Sequence, residues 1–96
     1  MVQIVKSIRV SPDTHVILLE KPTTLKRIFG NITVRGFEGG CASKVSFGDP
    51  HFYSFFVLNK PVTTFEMKGE GIFQGDVWVQ NISGKYLLYS MSEILV

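Results

Sequence analysis

Residues 2–10 alternate with period two. Val2, Ile4, Ile8 and Val10 fall on one side, and Gln3, Val5, Ser7 and Arg9 on the other, with Lys6 interrupting the apolar side. A run of this kind predicts a half-buried strand. Ser11-Pro12-Asp13 then reads as a turn. Residues 14–20 are rich in β-branched and leucine side chains on both faces, which predicts a strand covered on both sides.

Lys21-Pro22 interrupts any ladder, because proline has no amide hydrogen to donate. Residues 23–29 read either as strand or as one helical turn capped by a threonine, and strand is the expectation carried forward. Gly30-Asn31 marks a bend or bulge before the alternating segment 31–35. Three glycines within residues 36–40 form a joint. Beyond it, segments 44–47, 52–58, 62–68 and 72–80 read as strands, with Asn81-Ile82-Ser83-Gly84 as a hairpin turn. Segments 85–89 and 93–96 complete the count.

Eight or nine short strands punctuated by turns, with no sustained helical period, predict a single all-β domain over residues 1–96. The chain also echoes itself. Leu18-Leu19-Glu20-Lys21-Pro22-Thr23-Thr24 resembles Val57-Leu58-Asn59-Lys60-Pro61-Val62-Thr63-Thr64, and Ile28-Phe29-Gly30-Asn31 resembles Ile72-Phe73-Gln74-Gly75-Asp76. Two pseudo-repeats, about 1–36 and 41–81, followed by C-terminal strands in 85–96, suit a small jelly-roll-like β-sandwich.

Composition sharpens this picture. The chain is 45% apolar and 19% charged, against roughly 25% charged in an average soluble domain. Eight Phe, three Tyr and one Trp are many bulky rings for 96 residues, since a domain of that size buries only about 60–65% of its unfolded surface. The surplus predicts contact with other chains. The runs at residues 16–19 and 55–58 supply the expected interface positions Val16, Leu18, Phe55, Phe56 and Val57.

Net charge is +2, with Lys26-Arg27 the only adjacent basic pair, so nucleic acid is not the expected partner. No run approaches the ~20 apolar residues of a membrane span, and the first ten residues lack the apolar core of a signal peptide. These features predict a soluble chain, cytoplasmic or virion-associated. A single cysteine, Cys41, excludes a disulfide within these 96 residues.

Little chemistry is visible. Asp13 with His15, and Asp49 with His51, each place a carboxylate and an imidazole two positions apart, on one face of an extended segment. They are the candidate metal ligands, although turn-forming aspartates account for both pairs. No nucleophile elbow or phosphate-binding loop is present, and no catalytic residue or cofactor is assigned. Asn31-Ile32-Thr33 and Asn81-Ile82-Ser83 match the glycosylation pattern and are read as coincidence. The expected function is a non-enzymatic structural subunit forming a homo-oligomer, a trimer or larger, with itself or other assembly proteins, as in a viral or phage particle. The alternative is a β module that holds carbohydrate or single-stranded nucleic acid through Trp78 and Tyr53.

Overall fold

The computed structural model describes residues 1–36, 41–48, 53–58 and 61–96, with β5 and the first two residues of β4 described as backbone. Eight strands run in chain order: β1 (Val2–Val10), β2 (His15–Leu19), β3 (Arg27–Arg35), β4 (Cys41–Phe47), β5 (Tyr53–Leu58), β6 (Val62–Lys68), β7 (Val77–Asn81) and β8 (Leu87–Leu95). They form two four-stranded antiparallel sheets, one ordered β1-β8-β3-β6 and the other β2-β7-β4-β5. The protein is a small β-sandwich.

The pairing is nested. β1 meets β8, β2 meets β7, β3 meets β6 and β4 meets β5. Among consecutive strands only β4 and β5 share a sheet as a hairpin. The turn at residues 81–84, expected to close a hairpin, instead carries the chain from one sheet to the other. Asn81 builds it. Its side-chain oxygen accepts from the Ser83 backbone amide (2.9 Å) and hydroxyl (2.7 Å), while its amide nitrogen donates to the carbonyls of Val10 and Lys85. Asn81 is fully buried, so its glycosylation pattern is closed to modification in the folded chain.

β8 shows the physical rule most clearly. Leu87, Tyr89, Met91, Glu93 and Leu95 are buried, and the residues between them are half-buried. This is one unbroken strand of nine residues, not the two short strands expected, because Ser90 and Ser92 simply occupy the outward positions. Its inward side chains meet Ile32 and Val34 of β3, Val45 of β4, Val77 and Val79 of β7, and Leu18 and Leu19 of β2 in one core. Inside it the Tyr89 hydroxyl and Ser43 Oγ lie 2.7 Å apart and join the two sheets. Phe47, Phe65 and Phe73 pack against this core. The Phe47 ring lies 5.9 Å from Phe65 and meets Phe73 edge-on at 5.3 Å. Part of the aromatic surplus is thus absorbed within the domain.

Two bulges resolve patterns that simple alternation misreads. The ladder between β2 and β7 shifts between Ile17 and Leu19, so Leu18 and Leu19 are both buried. An extra residue on one strand permits this. The β3 ladder shifts between Arg27 and Phe29 and then runs unbroken through Gly30 and Asn31, where a bend was expected. Residues 23–26 are loop, not strand, as are residues 72–76. The amides that flank residues 23–26 are met by side chains of the second loop: Lys21 N donates to Asp76 Oδ1 (2.7 Å), and Arg27 N donates to Gln74 Oε1 (2.7 Å). The echoed segments therefore take unlike positions. Ile28–Asn31 lies in the β3 sheet, whereas Ile72–Asp76 is a loop leading to β7 in the other sheet.

The bulge in β2 makes a testable statement. Leu18→Ala and Leu19→Ala should each lower unfolding free energy by about 2–5 kcal/mol, the range for fully buried leucines. Urea unfolding of both variants checks it. A neutral Leu18→Ala would mean that β2 alternates without a bulge.

Candidate functional site

The residues expected at an interface separate into three groups. Leu18 is fully buried, which corrects its assignment: the bulge turns it into the core, so it offers nothing to a neighbour. Val16 is half-buried and packs against the same core. Phe55, Phe56 and Val57 lie on β5, an edge strand that pairs only with β4; their side chains lie outside the described residues. Tyr53, at the start of the same strand, is described as backbone only.

Trp78 sits mid-strand in β7. It stands in register with Ile17 of β2 on one side and Ser46 of β4 on the other. The indole is half-buried, and its Nε1 is buried without a hydrogen-bond partner. A stacking platform presents a ring face together with a reachable polar edge, and here the polar edge is sealed.

Asp13 and His15 are both exposed. Asp13 occupies a left-handed turn position with φ 57°, which aspartate tolerates better than most residues. The turn is held by hydroxyls, with Ser11 Oγ 3.0 Å from Thr14 Oγ1 and Thr14 donating to the Pro12 carbonyl. Among the described residues no group of three His, Cys, Asp or Glu side chains converges. Asp49 and His51 lie outside the described residues.

Two features were not singled out from the sequence. The first is a buried polar centre at the end of the sandwich where β3 begins. Arg27 is fully buried and Glu93 almost so. Arg27 Nε donates to Glu93 Oε2 at 2.9 Å. Its Nη1 donates to the carbonyls of Phe73 (2.7 Å) and Gly75 (3.0 Å), and its Nη2 to the carbonyl of Glu20 (3.0 Å). Gln74 clasps the Arg27 backbone from both sides, accepting from its N–H and donating to its C=O at 2.6 Å. Four N–H groups of the guanidinium and the backbone amide of Arg27 are thereby spent on holding the fold. The Phe73 ring fills the loop so tightly that a Cβ on Gly75 would lie 2.5 Å from its Cζ.

The second feature is an apolar end. Of the large apolar side chains exposed among the described residues, only Val62 and Tyr86 lie away from the end where β1 and β3 begin and β8 finishes. Val2, Ile4 and Val5 project there from β1, with Leu25 and Ile28 beside the start of β3 and Val96 after β8. A groove of about 230 Å³ runs beneath β1 at this end, between Ile4 and the loop 20–25, with Leu95 and Glu93 in its lining. Lys21 and Glu20, both exposed, are also in its lining.

With this geometry in view, comparison with known proteins is informative about fold alone. No family model matches the chain, and no curated protein matches it. Among solved structures, it resembles a chain from Bacillus endospore appendages that form a novel family of disulfide-linked pili. The TM-score is 0.62 at 13% sequence identity, over 96% of this chain and 84% of that one. At that identity the likeness establishes a shared β-sandwich architecture. No helix among the described residues is long and apolar enough to cross a membrane.

The buried centre yields a prediction of its own. Arg27→Met leaves the Glu93 carboxylate buried and unpaired, and should cost about 3–5 kcal/mol. Adding Glu93→Leu should recover most of that loss, since an apolar pair of similar volume often replaces a buried ion pair without penalty. Guanidinium unfolding of the single and double variants measures both steps. A double variant as unstable as Arg27→Met would show that the hydrogen bonds to the loop carbonyls, not the ion pair, hold this end.

Proposed function

We propose that this chain is a non-enzymatic structural subunit that self-associates into a larger assembly. The observation that carries the reading is the concentration of exposed apolar side chains at one end of the sandwich, beside the open edge strand β1. Apolar surface gathered in this way is costly to leave in water and marks a contact site. The buried polar groups support the same reading from the other direction. Arg27, Glu93, Asn81 and Ser43 are all engaged in holding the fold.

We read the nested strand pairing as jelly-roll-like, an architecture used in particle shells. The appendage subunit with a similar fold belongs to pili. Both are repeating assemblies built from small sandwiches, and we assign this chain to that class of role. Cys41 is the one cysteine in these 96 residues. One thiol joins two copies at most, so a chain of disulfides running from subunit to subunit does not arise from this segment alone, and the contacts proposed here are non-covalent.

Light scattering on a sizing column at several concentrations tests the reading. The expected result is a species well above the 10.8 kDa of one chain, growing with concentration, with negative-stain microscopy showing a regular form. A monomer at every concentration overturns it.

A further inference from the structure

β1 is nine residues long and, among the described residues, pairs only with β8. Its other side presents an unpaired row of N–H and C=O groups, without proline or bulge, and such an edge accepts another strand. β1 also lacks cover at its N-terminal half. Val2, Ile4, Lys6, Ile8 and Val10 share the inward face, opposite the inward Leu95, Glu93, Met91, Tyr89 and Leu87 of β8. β2 has five residues and ends at Leu19. It covers Val10 and half-covers Ile8, but Ile4 stays 37% exposed and Val2 44%. On the outward face Val5 is 70% exposed. An edge whose inward apolar positions stand in water is unfinished as a piece of sandwich.

Of the other edges, β2 is short and bulged, and β6 carries Thr64, Glu66 and Lys68 outward over a face that its own core already fills with Met67. β6 also leaves one apolar position uncovered, Val62 at 44%, but among the described edges β1 leaves three, Val2, Ile4 and Val5, so a second β1 is the best match. We propose that two copies of this chain pair antiparallel through β1 about a two-fold axis at Ile4, joining their β1-β8-β3-β6 sheets into one sheet of eight strands. The proposal rests on the assembly reading above and names its first contact.

Charge sets the register. Full overlap of residues 2–10 would centre on Lys6 and set two lysines directly opposite, their Cβ atoms about 5 Å apart. Centring on Ile4 pairs Ile4 with Ile4, Val2 with Lys6 and Gln3 with Val5. The two Lys6 positions then stand four residues apart along the strands, about 14 Å, beyond the ~8 Å Debye length at physiological salt. Four residues of pairing at each end are given up to avoid a like-charge contact. In return the exposed Val2 and Ile4 of both copies gather around the axis on the inward face, beside the grooves lined by Ile4, Leu25 and Leu95, and the two Val5 side chains flank it on the outward face. A two-fold contact of this kind closes on itself, so growth beyond a dimer needs a second, different surface.

The test uses the whole chain. Ile4→Lys places two new charges on the axis, at a position exposed enough for the monomer to fold unchanged. It should raise the dimer dissociation constant by at least about tenfold with the melting temperature of the dilute monomer retained. Independently, Ile4→Cys in a Cys41→Ser background should give a covalent dimer with a short bifunctional thiol crosslinker, whereas Lys6→Cys in the same background should not. An oligomer that survives Ile4→Lys and does not crosslink through Ile4→Cys overturns the β1 contact and leaves the assembly reading standing. Crosslinking through Lys6→Cys in preference to Ile4→Cys overturns the register and with it the proposal. A chain that never leaves the monomeric state overturns the assembly reading itself.

Discussion

Arg27 fixes the end of the sandwich on which the rest depends. Residues 20–25 and 72–75 lie outside the strand ladders, and irregular backbone beside a core must find other hydrogen-bond partners. The guanidinium meets this need from a fully buried position, collecting the carbonyls of Glu20, Phe73 and Gly75 while its own charge is met by Glu93. Arginine suits the place because its planar fork offers several donors in fixed directions. One side chain thus ties the end of β2, the start of β3, the approach to β7 and the inner face of β8. Desolvating two charges is expensive, and the Coulomb attraction alone seldom repays it. What the arrangement supplies is direction: two loops are held in one conformation, and Lys26 can then make its two backbone bonds with Val96 at 2.7 and 2.9 Å.

The class of fold was legible in the chain because period two is a strong signal. β1 and residues 31–35 of β3 announce themselves through it, and β2 and β5 through their apolar runs. The errors share one cause. Alternation is a local rule, and the sandwich breaks it wherever a distant side chain takes over. Residues 23–26 look extended by composition, yet their neighbours Lys21 and Arg27 have their amides claimed by Asp76 and Gln74, about fifty residues away. Residues 72–76 carry Ile and Phe like a strand, but Phe73 turns inward to meet Phe47. Ser90-Met91-Ser92 resembles a break and is ordinary alternation, with the serines outward.

The same reasoning bears on the functional residues. Glu93 was in principle readable. It falls on the inward face of β8 with Leu87, Tyr89, Met91 and Leu95, and a lone carboxylate in such a row calls for a buried cation. Dividing β8 into two short strands hid that row. Leu18 was assigned to an interface because a strand apolar on both faces needs two covers; the bulge removes the need by turning both leucines to one side. The apolar surplus itself was real, but its location was not legible. Phe47, Phe65 and Phe73 enter the domain, while most of the exposed large apolar side chains among the described residues gather around the start of β1, a strand whose alternation predicts only a half-buried face.

That last contrast follows from strand lengths. β1 and β8 are nine residues long, but β2, which should cover β1 from the facing sheet, is five. It stops because its chain must leave at Glu20 to let Arg27 take that carbonyl and to begin β3 beside Leu95. The buried centre and the exposed end are therefore two consequences of one geometric constraint. Closing the base of the sandwich around Arg27 shortens β2, and shortening β2 uncovers Val2 and Ile4. An arrangement that spent the loop on covering β1 would leave the guanidinium without one of its acceptors. The exposed apolar end lies beside the most fully satisfied part of the interior.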